Sequence, residues 1–164
     1  NYSLCFDAGV PVVSGTTGWL DNKDEVYQKC TDTNGTFFYG SNFSVGVNLF
    51  FELNKKLADL MAPRSEYNVE MTQVHHIKKL DAPSGTAISL KKTIGREFPI
   101  QSLRLKGVPG EHEIVFSNES EIIHVKHTSY SRQVFANGAL DCARWILEMG
   151  YQNGFYTMNS RFKG

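Results

Sequence analysis

Residues 10–44 have the sequence VPVVSGTTGWLDNKDEVYQKCTDTNGTFFYGSNFS, in which two short apolar runs each end in a loop that contains glycine. The runs at 10–14 and 36–39 predict buried strands, and the polar stretch between them predicts a helix with Asp21 as its N-cap. This alternation of strand and helix indicates parallel strands joined by crossover helices, as in a doubly wound sheet. Ligands bind to such sheets beyond the carboxyl ends of the strands, where both loops are expected.

After residue 44 the pattern changes to an α+β arrangement with a mixed or antiparallel sheet. Apolar residues from Val47 to Met61 fall at helical spacing, and Pro63 marks the end of this helix. The later predicted elements are a strand at 67–75, a helix at 86–96, strands around 102–105, 111–116 and 121–127, and an apolar helix at 134–149 that ends at Gly150. The turn at 117–120 predicts that the last two strands form a hairpin.

The composition limits the classes of function. Seventeen basic residues balance seventeen acidic ones, which argues against a nucleic-acid partner held through phosphate contacts. The three cysteines, at positions 5, 30 and 142, form no CxxC pair, so we predict neither a disulfide framework nor a metal site. No apolar run approaches the roughly 20 residues that span a bilayer, and we expect a cytoplasmic protein with no membrane partner.

The stretch from His75 to Ala87, HHIKKLDAPSGTA, concentrates the groups that can carry chemistry. Two imidazoles and two ammonium groups fall within five residues, and the triplet SGT at 84–86 lies where the next helix is predicted to begin. A helix N-terminus has unpaired N–H groups and about half a positive charge, so it favours a carboxylate or a phosphate. The residues therefore suggest a small anion with more than one carboxylate, bound where a histidine or a lysine can move a proton. They fit equally well a solvated strand end followed by an ordinary helix cap, and the physics of the residues alone leaves both interpretations open.

This stretch resembles, position by position, the substrate-site signature of the dihydrodipicolinate reductases, HHxxKxDAPSGTA. The resemblance covers nearly the whole chain. GTTG at 15–18 is similar to the family's loop beside the nicotinamide, and SNFSVGVN at 41–48 is similar to its second cofactor-contacting loop and interdomain hinge. GEH at 110–112 and SRQVFANGA at 131–139 match later family motifs, whereas RLKGVPG at 104–110 differs from the commoner family version.

The resemblance implies an NAD(P)H-dependent enzyme of lysine and diaminopimelate biosynthesis. It would reduce dihydrodipicolinate (4-hydroxy-tetrahydrodipicolinate) to tetrahydrodipicolinate, with His75 as the principal proton donor or acceptor and Lys79 as a proton donor. The dicarboxylate substrate would be bound by His76, Gly85 and Thr86, with Ser84 close by. The nicotinamide end of NADH or NADPH would contact Gly15, Thr16, Thr17, Gly40, Ser41, Asn42 and Phe43.

The fold implied by the resemblance is α/β: the C-terminal remainder of a Rossmann-type parallel sheet plus an α+β substrate and oligomerisation domain with a mixed sheet. The expected limits are 1–43 for the partial dinucleotide-binding domain, 44–130 for the substrate domain, and 131–164 for a C-terminal helix and tail that return to the first domain. A homotetramer built through the sheet of the second domain is also implied.

A glycine-rich phosphate fingerprint is expected on the first strand of a Rossmann domain, and no GxGxxG occurs in this sequence. The chain also begins with Asn1 rather than Met. We therefore expect a fragment that lacks the pyrophosphate and adenosine subsites, and that alone binds the cofactor weakly and reduces the substrate poorly.

Alternatives to the reductase remain at this stage. The chain could be a non-catalytic fragment that binds a dicarboxylate or mediates oligomerisation, or part of another two-domain dehydrogenase, although the DAPSGT run argues against the latter. His112, His124 and His127 lack the spacing of a zinc site and are expected to be hydrogen-bonded or surface side chains. Arg132 fits either a substrate carboxylate or a surface position.

Overall fold

The structure, a computed structural model, describes residues 1–162. The helices are α1 (Tyr2–Asp7), α2 (Lys23–Asp32), α3 (Val45–Met61), α4 (Gly85–Ile94), α5 (Gln133–Glu148) and α6 (Met158–Phe162). The strands are β1 (Val12–Ser14), β2 (Thr36–Tyr39), β3 (Asn68–His75), β4 (Ile100–Arg104), β5 (Gly110–Ser117), β6 (Ile122–Ser129) and β7 (Gly154–Thr157). A 3₁₀ turn at Leu20–Asn22 precedes α2.

The chain divides into two compact units. The first contains residues 1–48 together with the chain from Gln133 onward, and the second contains Leu49–Arg132. The division at 48/49 falls within α3. The domain limits expected from the sequence, 43/44 and 130/131, lie a few residues away and stay predictions about folding domains.

The first unit contains a three-stranded parallel sheet in the order β1-β2-β7. Its central strand β2 is buried from Thr36 to Phe38, as expected of a strand covered on both faces. Phe37 packs in a cluster with Phe6, Trp19, Val26 and Cys30. Phe38 packs in a second cluster with Phe43, Cys142, Ile146 and Met158. Because successive side chains of a strand point to opposite faces, α1 and α2 cover one face of this sheet and α5 covers the other.

The second unit contains a four-stranded mixed sheet in the order β4-β3-β5-β6. β3 pairs in parallel with β4 and antiparallel with β5, and β5 and β6 form the predicted hairpin. Burial alternates residue by residue along β5, because one face of the sheet is packed. The packed face, α3 and α4 share an apolar cluster that includes Phe50, Met61, Met71, Leu90, Ile94, Ile114 and Phe116. The predicted α/β class, with one parallel and one mixed sheet, is confirmed.

Two differences from the sequence predictions concern short segments. The sequence did not predict α1, α6 or β7, which contain six, five and four residues. The assignment of Asp21 as the N-cap of α2 is wrong, because Asp21 lies inside the 3₁₀ turn and Asn22 is the N-cap. The turn forms because the N–H of Asn22 donates to the carbonyl of Trp19, and this delays the start of the helix.

Candidate active site

The start of α4 is fixed to the neighbouring strand β3 through Ser84. This residue is the N-cap of α4, and its Oγ accepts a hydrogen bond of 3.2 Å from the N–H of Ala87. The N–H of Ser84 donates in turn to Oε1 of Gln73 at 3.1 Å. Gly85 is exposed, and a Cβ added there would have no heavy atom within 4 Å. The backbone in the first turn of α4, at Gly85 and Thr86, is therefore open to the approach of a ligand.

Gln73 is a supporting residue that sequence reasoning missed. Its side chain is fully buried, and its Nε2 donates to Oγ of Ser102 on β4 at 2.6 Å. With Oε1 bound to the N–H of Ser84, both ends of the amide are used. The alternation of side chains along β3 could have predicted its burial, because Gln73 lies on the same face of the strand as the buried Val69 and Met71.

His75 lies at the carboxyl end of β3, with only 8% of its surface exposed. The backbone of Pro109 acts to raise the pKa of its ring, but this effect is smaller than those that lower it. Its Nε2 is buried and has no hydrogen-bond partner among residues 1–162. Burial lowers the pKa of His75 below its ordinary value, and the positive charge of Lys79 lowers it further. The ring is therefore neutral near pH 7 and presents an unsatisfied nitrogen.

His112 on β5 packs against the ring of His75. The two ring centroids lie 5.0 Å apart in an edge-to-face arrangement. Nε2 of His112 lies 3.3 Å from Oγ of Ser84, so the residue is hydrogen-bonded as the sequence analysis expected. Burial, with a smaller contribution from His75, lowers the pKa of His112 to about 4. This second imidazole is thus held neutral beside the first.

Lys79 and Asp81 form an ion pair in the loop between β3 and α4. Nζ of Lys79 lies 2.6 Å from Oδ1 of Asp81, and the pairing lowers the pKa of Asp81. The backbone of Gly85 makes a smaller contribution to lowering this pKa. Arg104 on β4 donates from Nε to the carbonyl of Lys79 at 3.2 Å and from Nη2 to the carbonyl of Asp81 at 2.5 Å. Arg104 therefore holds the backbone of the loop while the two side chains pair.

His76 makes a separate contact. Its Nε2 lies 2.9 Å from Nη2 of Arg132, a residue whose role the sequence left open. The N–H of Lys79 donates to the carbonyl of His76 at 3.0 Å, but among the described residues no side-chain hydrogen bond joins His76 or Thr86 to His75. The structure thus brings together four of the predicted site residues, His75, Lys79, Ser84 and Gly85, through His112 and Asp81. No role was predicted for Asp81 or Arg104. The contacts of Arg104 with this loop form only when β4 lies beside β3.

The two loops predicted to contact a cofactor are joined in the first unit. The N–H of Gly40 donates to the carbonyl of Ser14 at 3.1 Å, which connects the carboxyl ends of β1 and β2. The ring of Phe43 lies against both glycines, because a Cβ added to Gly15 or Gly40 would lie 3.2 or 3.3 Å from that ring. The backbones of both loops therefore come closer to this ring than residues with side chains easily permit.

Hydrogen bonds hold the second of these loops in place. Oδ1 of Asn42 accepts from the N–H of Ser44 at 2.9 Å, and Nδ2 of Asn48 donates to the carbonyls of Asn42 and Ser44, each at 2.8 Å. Thr16 is held in the first loop, where its carbonyl accepts from Nε1 of Trp19 at 2.9 Å. A cavity of about 280 Å³ beside the second loop is lined by Tyr39, Gly40, Ser41, Asn42, Asn48, Thr157, Met158 and Asn159.

These features fit the nicotinamide end of a dinucleotide. The site lies at the carboxyl ends of parallel strands, and Thr16, Thr17 and Ser41 are exposed there with hydroxyl groups that suit a carboxamide. Within residues 1–162 no group of histidine, cysteine and acidic side chains could hold a metal ion. No helix in the described part of the chain is long and apolar enough to cross a membrane.

Comparison with known proteins gives consistent results. A family model described as "Dihydrodipicolinate reductase, C-terminus" matches residues 46–161. The chain is 40% identical to the 4-hydroxy-tetrahydrodipicolinate reductase of Christiangramia forsetii, over 96% of this chain and 72% of the relative. It is 48% identical to the enzyme of the same name from Thermosipho africanus, over 98% of this chain and 71% of the relative. Among solved structures, a dipicolinate-bound dihydrodipicolinate reductase from Paenisporosarcina sp. TG-14 is similar with a TM-score of 0.73 and 26% identity, over 95% of this chain and 66% of that one.

Proposed function

Since the chain belongs to the dihydrodipicolinate reductase family, we propose that it takes part in the NAD(P)H-dependent reduction of 4-hydroxy-tetrahydrodipicolinate to tetrahydrodipicolinate. In this proposal the chain carries the substrate site and the groups that transfer the proton. The substrate is a small dicarboxylate of lysine and diaminopimelate biosynthesis. A similar solved reductase has dipicolinate bound, which supports a pyridine-type dicarboxylate as the ligand class.

One observation carries the proposal. A buried imidazole with an unsatisfied nitrogen, His75 Nε2, lies in one cluster with an ammonium group and the first turn of a helix. A buried polar atom without a partner is costly, so a ligand atom that hydrogen-bonds to it is favoured there. The helix N-terminus and Lys79 both favour a carboxylate.

In this proposal one substrate carboxylate accepts hydrogen bonds from the backbone at Gly85 and from the N–H and hydroxyl of Thr86, beside the ammonium of Lys79. His76, held at 2.9 Å from Arg132, contributes to binding the dianion. Ser84 acts indirectly, because it fixes the helix start through its bonds to Gln73 and Ala87.

The 4-hydroxyl group of the substrate leaves as water, and the hydride with one proton completes the reduction. That proton comes from His75 or Lys79. In the free chain the pKa of His75 is low because the ring is buried near a cation. A bound dicarboxylate brings negative charge, which stabilises the imidazolium and raises this pKa, so that Nε2 becomes protonated as the substrate binds. His112, with a pKa of about 4, stays neutral and adds no competing charge.

The nicotinamide cofactor, when bound, supplies the hydride. Gly15, Thr16, Thr17, Gly40, Ser41, Asn42 and Phe43 would hold its nicotinamide end. The proposed cofactor is NADH or NADPH. A homotetramer formed through the mixed sheet and a cytoplasmic location also belong to it; the alternating burial of β5 suits an interface on the less buried face of that sheet.

The proposal is tested by following oxidation of NADH and of NADPH under single-turnover conditions, with the chain in excess over the substrate so that slow reduction is measurable. Asparagine in place of His75 or methionine in place of Lys79 should lower the rate by about 10²–10⁴-fold, the usual contribution of general acid–base catalysis. Methionine at Lys78, an exposed neighbour, is the matched control and should leave the rate within about twofold.

Normal rates in both variants would remove these residues from the mechanism. Oxidation that does not depend on the substrate, from a folded chain that still binds the dicarboxylate, would instead favour a non-catalytic binding fragment.

A further inference from the structure

The substrate site contains a carboxylate of the protein itself. The Asp81 carboxylate is paired with Nζ of Lys79 at 2.6 Å, and the backbone of Gly85 in the first turn of α4 helps to lower the pKa of this carboxylate. These are two of the groups to which the proposed function assigns a carboxylate of the substrate. A second anion cannot take the same donors while Asp81 holds them.

We propose that Asp81 is a resident anion that fills the carboxylate position of the empty site and that the substrate displaces. This inference rests on the proposed function, since it concerns the same donors. In the free chain the ion pair balances the charge of Lys79 and occupies an open helix N-terminus. On binding, one substrate carboxylate replaces that of Asp81, whose side chain turns toward solvent.

The surroundings permit this exchange without movement of the loop. Arg104 binds the backbone carbonyls of Lys79 and Asp81, and it does not use the Asp81 carboxylate. The Asp81 side chain is 55% exposed, so it can rotate into water. Ion pairs that are this accessible are weak and are readily exchanged.

Displacement has a measurable consequence for affinity. A ligand that must first break the Lys79–Asp81 pair binds more weakly than one that finds the ammonium free. The substitution Asp81→Asn removes the carboxylate and keeps the shape of the side chain, so it should tighten binding of pyridine-2,6-dicarboxylate by about 3–10-fold. The ligand then no longer competes with the Asp81 carboxylate for Lys79 and is no longer repelled by its negative charge. A residue that only supported the structure of the loop would weaken binding when replaced.

The experiment is isothermal titration calorimetry of the chain with pyridine-2,6-dicarboxylate, with and without NADH. The matched control is Glu97→Gln, which removes the carboxylate of a comparable ion pair, Lys91–Glu97 at 2.7 Å, at the other end of α4. We expect the control to bind as the unmodified chain does. Equal or weaker binding by Asp81→Asn, with normal binding by the unmodified chain, would overturn the inference and leave the proposed function standing.

A second readout uses the unmodified chain and does not depend on the folding of a variant. Carboxyl ¹³C NMR should show that the pKa of Asp81 rises when the ligand saturates the chain, because Lys79 no longer pairs with it and a second anion lies nearby. The carboxyl ¹³C signal of Glu97, at the other end of α4, serves as the control and should not move when the ligand is added. An unchanged pKa of Asp81 at saturation would overturn the inference, whereas absence of any binding to the folded chain would overturn the proposed function and this inference with it.

Discussion

Replacement of Gln73 by methionine tests whether the buried amide fixes the start of α4. The side chain is fully buried and makes two hydrogen bonds, one to Oγ of Ser102 at 2.6 Å and one from the N–H of Ser84 at 3.1 Å. Methionine has a similar length and apolar character, so the packing volume is retained while both hydrogen bonds are lost.

The expected loss of stability is about 2–4 kcal/mol. Each intramolecular hydrogen bond contributes about 0.5–1.5 kcal/mol net, and leaving the N–H of Ser84 buried without a partner costs about 1–3 kcal/mol more. The greater ease of burying methionine offsets part of this sum. With a urea dependence of about 2 kcal/mol/M, the midpoint of unfolding should fall by about 1–2 M.

The assay is urea unfolding followed by far-UV circular dichroism, with Gln101→Met as the matched control. Gln101 lies on the neighbouring strand β4 and is exposed, so its replacement should change the free energy of unfolding by less than about 0.5 kcal/mol. If the Gln73 variant unfolds at the same midpoint as the control, the amide does not hold the helix start and our description of the support beneath the site is incorrect.

Two further predictions concern other parts of the structure. Alanine at Gly138 would place its Cβ against the carbonyl oxygen of Phe43, so Gly138→Ala should destabilise the first unit by at least about 2 kcal/mol. The control Gly18→Ala, whose Cβ would have no atom within 4 Å, should be nearly neutral. Equal midpoints of thermal unfolding for the two variants would contradict this close approach of α5 to Phe43. The pKa of His112 is about 4 in the folded chain and about 6.5 in the unfolded chain, so between these pH values only the unfolded state binds a proton at this residue. The free energy of unfolding should therefore fall by up to about 3 kcal/mol as the pH drops from about 6.5 to 4. Urea unfolding at several pH values should show a smaller loss for His112→Gln, and an identical loss would show that His112 is not the cause.

The elements that the sequence predicted well are those with a strong local pattern. The apolar run TFFY predicted the buried strand β2, and the stretch 111–116 predicted β5, which the structure extends to 110–117. β7 escaped prediction because its four residues have no pattern of their own and it forms only by pairing with β2, more than a hundred residues earlier in the chain. Asp21 was misplaced because a carboxylate before a polar stretch has the composition of a cap whether or not a 3₁₀ turn comes first.

The candidate site was predictable in its residues but not in its contacts. HHIKKLDAPSGTA contains His75, Lys79, Asp81 and Ser84, and the structure brings them together with the start of α4. Arg104 and His112 belong to β4 and β5, and their places beside the site follow from strand order, which local pattern does not determine. The low pKa of His112 likewise depends on burial by several elements at once.

The most direct test of the central claim is calorimetric titration of the chain with pyridine-2,6-dicarboxylate, comparing Thr86→Val with Thr93→Val. Thr86 lies in the first turn of α4, and Thr93 lies in its last turn, where it is half-buried and its hydroxyl donates to the carbonyl of Ser89 at 2.9 Å. We predict one binding site whose affinity falls at least about tenfold in Thr86→Val, because a hydrogen bond to a charged group is worth about 1.5–3 kcal/mol. The affinity should be unchanged in Thr93→Val. Equal affinities for both variants, or no binding by a folded chain, would contradict a dicarboxylate site at the start of α4.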